Sequence, residues 1–165
     1  MTSGSIYRFR YRAGNLIGWS NWSPVAYLSP ASTPSAPAAP QYVSSNDTTI
    51  VLNLFGSEDD GGAPILNYEL DIDNGTLTSN FTPMSTYSYA VNGFTFSVDS
   101  IANNLTTGTL YRFRFRSMNA MGYSDYSDTA RFGLGPLPTA PGIPTRATVG
   151  NSDTSIGVTW TGLTG

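Results

Sequence analysis

A chain of 165 residues with a net charge of −3 and only eight basic residues offers no broad basic surface, so no nucleic-acid partner is expected. It contains no Cys, His or Lys, which removes disulfides, thiolate and imidazole metal sites, and the commonest general base. Charged residues make up 12%, while Gly and Pro number 17 and 11, a mix that suits an all-β chain with many turns. No apolar run approaches the roughly 18–20 residues that cross a bilayer, so no membrane contact is expected within this stretch. The first residues lack the apolar core of a signal peptide.

Residues 1–28 hold two predicted strands. Tyr7, Phe9, Tyr11 and Ala13 alternate with Arg8, Arg10 and Arg12, which is the period of a strand with one apolar and one charged face. The three guanidiniums stand about 7 Å apart along the strand and need something between them. Trp19 and Trp22, after a turn at Asn15–Gly18, are placed to interleave with them from the neighbouring strand. Residues 29–39 are rich in Pro, Ala, Ser and Thr and read as a semi-rigid polyproline-type linker.

Residues 40–133 follow as a complete domain. Strands are predicted over 48–55 and 65–72, with Ile50, Leu52 and Leu54, then Tyr68, Leu70 and Ile72, facing inward. Residues 74–84 read as loop plus a short edge strand, and 87–98 as a hairpin turning at Asn92-Gly93. A second arginine strand runs from Tyr111 to Ser117, and a last strand spans 126–132. Residues 134–144 form a second Pro/Gly linker. Residues 145–165 then begin another unit, in which 153–160 aligns with 47–54 and Trp160 takes the place of Leu54.

The two arginine strands are copies. Residues 4–23 and 108–127 share 10 of 20 positions at a constant offset of 104, with no gap. Arg112, Arg114 and Arg116 repeat the row, and Tyr123 and Tyr126 replace the tryptophans. The chain therefore reads as the end of one repeat of about a hundred residues, one whole repeat, and the start of a third. Met1 aligns with the apolar Leu105, so a window from a longer tandem array is expected, with any secretion signal upstream.

Leu105-x-x-Gly108-x-x-Tyr111, the alternating aromatics up to Asn119, and Gly122 resemble the E–F corner and F strand of fibronectin type III domains. Pro40, the 50–54 strand, Asp59-Asp60-Gly61-Gly62, Pro64 and Tyr68 resemble the preceding A, B and C strands. The resemblance implies tandem immunoglobulin-like β-sandwiches, one complete and two partial. It implies that Tyr111, and Tyr7 in the first copy, are corner tyrosines bonded to backbone. Trp19-Ser-Asn-Trp-Ser23 also matches the Trp-Ser-x-Trp-Ser box of cytokine receptors, whose paired cysteines are missing here.

Trp19-x-x-Trp22 is an acceptor pattern for C-mannosylation at Trp19. Asn-x-Ser/Thr occurs at Asn21, Asn46, Asn74, Asn80 and Asn104, and Ser32, Thr33, Ser35 and Thr139 beside prolines are O-glycan candidates. Glu58-Asp59-Asp60 and Asp71-x-Asp73 are the only carboxylate clusters; both read better as ordinary turn and strand residues than as a Ca²⁺ site. No catalytic residues, metal or cofactor are expected. The expected role is an extracellular, structural or adhesive glycoprotein of tandem repeats, whose partners are neighbouring repeats, its own glycans and other copies in a fibre. The alternatives are a ligand-binding receptor ectodomain using exposed Phe81, Met84 and Tyr87, or an accessory module of a large secreted enzyme.

Overall fold

The computed structural model describes residues 1, 2, 4–78 and 80–162. Residues 1–135 form one compact unit and 136–165 a second.

The centre of the first unit is a two-sheet sandwich. Strands β3 (Gln41–Ser45), β4 (Thr49–Asn53) and β7 (Thr95–Asp99) form one antiparallel sheet in the order β3-β4-β7. The other has the order β10 (Ala130–Gly133), β8 (Leu110–Asn119), β5 (Asn67–Asp73) and β6 (Phe81–Pro83), with β9 (Gly122–Tyr123) paired to the end of β8. The period-two patterns decide the inner faces. Along β8 burial alternates without a break, placing Tyr111, Phe113 and Phe115 inside and Arg112, Arg114 and Arg116 outside. Ile50, Leu52, Leu54, Leu70, Phe96 and Val98 meet them from the other strands. Tyr68 stacks on Phe115 with ring centroids 5.2 Å apart. Burying such aromatic rings dominates the energetics of a small core.

Three local expectations differ from the structure. Asn92-Gly93 does not turn a hairpin. Tyr89–Asn92 forms a one-turn helix, α1, and Gly93 caps it with φ +60°. The Asn92 carboxamide accepts the Ser88 N–H at 2.9 Å, while Tyr89 packs on Tyr68 and Phe94, so local side chains and the core select the helical turn. The last strand starts at Ala130, later than expected, because 124–129 runs beside β8 on serine hydrogen bonds described below. Met84 and Tyr87 are core residues at 6% and 8% exposure, and Phe81 is half-buried against arginines, so the three do not form an exposed apolar surface.

The first arginine strand, β1 (Tyr7–Phe9), pairs with β2 (Ala26–Leu28), and Phe9, with Tyr11 just beyond the strand, remains exposed. In the segment expected to be a linker, Pro34 and Pro37 are buried, as is Pro40 at the start of the domain. The second unit consists of β11 (Thr145–Arg146) and β12 (Val158–Thr159), an antiparallel pair that leaves Trp160 exposed.

Candidate functional site

The outer face of β8 carries a ladder of charge and aromatic rings. β5 lies antiparallel beside it, with Glu69 opposite Arg116 and Asp71 opposite Arg114. Because β5 also alternates, turning Tyr68, Leu70 and Ile72 inward sends Glu69, Asp71 and Asp73 to the arginine side. Arg112 donates through Nε to Asp73 Oδ2 at 2.9 Å, and its backbone N–H to Asp73 Oδ1 at 2.9 Å. Arg114 donates through Nε and Nη2 to Asp71 Oδ2 at 2.9 and 2.7 Å. Arg116 donates through Nε to Glu69 Oε1 at 2.8 Å.

The rings fill the gaps between guanidiniums. Arg114 lies 3.6 Å from the Tyr126 ring centroid and 4.3 Å from that of Phe81. Arg116 sits over Tyr123 at 3.9 Å and Tyr126 at 4.5 Å. Arg112 is covered by Phe81 at 4.8 Å, and not by either tyrosine. In the first copy Arg10 lies over Trp22 at 4.4 Å, and Arg12 over Trp19 and Trp22 at 4.6 and 4.8 Å. Arg8 has no such ring among the described residues.

Ionisation follows from this packing. Burial alone would raise the Asp73 carboxyl, but hydrogen bonds from Arg112 and the Gly75 N–H, with the Arg112 charge, hold it below its ordinary value. Tyr126 is pushed up to about 12 by burial and by the neighbouring Asp71 carboxylate, against the opposing charges of Arg116 and Arg114. Its hydroxyl donates to Glu69 Oε1 at 3.2 Å. Asp71 Oδ1 and Arg112 Nη2 are buried with no hydrogen-bond partner. Among the described residues no group of three or more acidic, His or Cys side chains could hold a metal.

The serines between the rings have a role that composition did not reveal. The N–H groups of Ser124 and Ser127 donate to the carbonyls of Ser117 and Phe115 at 2.9 and 2.7 Å. Their hydroxyls accept the N–H groups of Ser117 and Phe115 at 3.1 and 3.0 Å. Ser20 and Ser23 repeat both arrangements against Ala13 and Tyr11. Each serine thus supplies backbone and hydroxyl in place of a normal strand pair, which leaves the intervening rings free to stand over the arginines. The spacing Ser-x-x-Ser, in register with the arginines at offset 104, was the available signal.

The corner tyrosines also repeat. Tyr111 Oη accepts the Thr106 N–H at 2.8 Å, and Tyr7 Oη the Thr2 N–H at 2.6 Å. All five Asn-x-Ser/Thr asparagines are exposed. Ser32, Thr33 and Thr139 are exposed as well, whereas Ser35 is half-buried and its hydroxyl is engaged with the backbone of Asp59.

No family model matches the chain. It is 32% identical over 149 residues to titin of Drosophila melanogaster, covering 87% of this chain and 1% of titin. It is 28% identical over 159 residues to fibronectin type-III domain-containing protein 3A of Mus musculus, covering 93% of this chain and 12% of that protein. The chain thus spans a small part of either relative. A crystal structure of titin domains superposes with a TM-score of 0.57 at 20% identity, covering 73% of this chain and 38% of that one. The solution structure of the sixth fibronectin type III domain of a human fibronectin type III domain containing protein gives 0.52 at 17% identity, covering 68% of this chain and 95% of that one. The sandwich has a fibronectin type III fold.

Proposed function

We propose that this chain is a stretch of an extracellular structural and adhesive glycoprotein built from tandem fibronectin type III repeats. Its work is reach, stiffness and surface coating. The observation that carries this reading is the gap-free recurrence, 104 residues apart, of the same ladder, the same serine pairing and the same tyrosine corner. A surface repeated at a fixed period suits a protein whose function lies in its length. Five exposed glycosylation motifs and the mannosylation pattern at Trp19 support the extracellular, glycan-bearing part of the proposal. Strand addition between copies, at the open edge of β1, would extend it to a fibre.

The test is the intact mass of the natively sourced protein before and after enzymatic glycan removal. The expected result is a loss of mass on treatment, with a stripped mass several-fold above 17.6 kDa. An unchanged mass would overturn the glycoprotein reading. A stripped mass near that of this chain alone would overturn the long array.

A further inference from the structure

We infer that Asn119, Gly61 and Ser35 clamp the segment joining the first arginine ladder to the complete domain, making this junction a fixed joint and not a hinge. The inference rests on the tandem-repeat reading above and gives its stiffness a residue-level cause.

The segment is held at both ends. Its Pro30 carbonyl accepts the Gly4 N–H at 3.0 Å, which ties it to the ladder piece. On the domain side the Ser32 N–H donates to the Gly61 carbonyl and the Ser35 N–H to the Asp59 carbonyl, each at 2.9 Å. The Ser35 hydroxyl accepts the Asp59 N–H at 3.1 Å and donates to the Asp59 carbonyl at 3.3 Å, so three bonds join Ser35 and Asp59. Asn119, at the end of β8 and only 3% exposed, bridges segment and domain. Its Nδ2 donates to the Ser32 carbonyl and to the Asp60 carbonyl, both at 2.7 Å. Its Oδ1 accepts the Met121 N–H at 2.8 Å, which fixes the amide's orientation.

Gly61 makes the contact sterically feasible. It has φ +72°, and a Cβ there would lie 2.3 Å from the Ser32 carbonyl oxygen and 2.7 Å from that of Thr33. Both the backbone conformation and the clearance therefore require glycine. The prolines lower the entropic cost of docking. Pro34, Pro37 and Pro40 are buried at a spacing of three, which is one face of a polyproline helix. A segment already confined in φ loses little freedom on being held. Asn15, at the position of Asn119 in the first copy, likewise accepts the N–H two residues on, that of Ile17, at 2.9 Å.

The test is amide hydrogen exchange on the complete 165-residue chain. In the wild type the Ser32 and Ser35 amides exchange at least about tenfold more slowly than unstructured chain. Asn119→Asp keeps the acceptor for Met121 and removes both donated bonds; Gly61→Ala attacks the same contact from the opposite side. Each variant is expected to return both amides to nearly unstructured rates while the Phe113 and Phe115 amides in β8 keep their protection. Unprotected Ser32 and Ser35 in the wild type would overturn the clamp. So would protection that survives both variants, or release that occurs in both only when Phe113 and Phe115 are released too. None of these outcomes bears on glycans or repeat number, so the clamp and the proposed function fail separately.

Discussion

Asp71 shows what the ladder costs and why it persists. Its side chain is 1% exposed, and Oδ2 takes two bonds from Arg114. A paired buried charge adds little net stability, but a stranded one is expensive. Arg114→Leu is therefore expected to lower the unfolding free energy by about 3–5 kcal/mol in urea titrations, and adding Asp71→Leu to recover most of it. Asp73 predicts the acid response. Its carboxyl is held below the ordinary value in the folded state, so the unfolded chain takes up its proton first as pH falls. The stabilisation is present in full above the unfolded-state value and is lost as pH drops through the folded one. Thermal melts from pH 6 to pH 2 should show a falling midpoint, and Asp73→Asn should flatten that fall.

At the scale of the strand, Ser127 stands in for a missing ladder partner. Its hydroxyl is the acceptor for the Phe115 N–H in the centre of the sheet. Ser127→Ala leaves that buried donor unpaired and should cost about 1–3 kcal/mol by denaturant unfolding, with no change in the fold. The arginine strands were legible because alternation alone separates their faces. The carboxylates opposite them were not. Glu69-x-Asp71-x-Asp73 shows its own face in the sequence, but register depends on loops that no local pattern specifies. The Asn92-Gly93 pair misled for the opposite reason. Its local signal is strong, and the packing of Tyr89 against Tyr68 and Phe94 outweighs it. Residues 29–39 have the composition of a free linker whether or not they dock. What holds them is Gly61 and Asn119, far along the chain.

Across the whole molecule, the placement of cationic side chains amounts to a map of protease susceptibility. With no lysine, trypsin can cut only after arginine, and six of the eight arginines lie in the two ladders. Those ladders differ in protection. Arg8 is exposed, and Arg10 and Arg12 are exposed beside their tryptophans, while Arg112, Arg114 and Arg116 are partly buried, ion-paired and set in a central strand. Arg131 and Arg146 are exposed. Brief trypsin treatment of the native chain, read by mass spectrometry, should therefore clip near the first ladder and at Arg131 or Arg146, leaving the central strand whole. Early cleavage after Arg114 would show that its guanidinium is not held as described. In a long array of such repeats the central strand of each ladder would outlast the exposed arginines around it, a digestion resistance encoded by where the arginines are stacked.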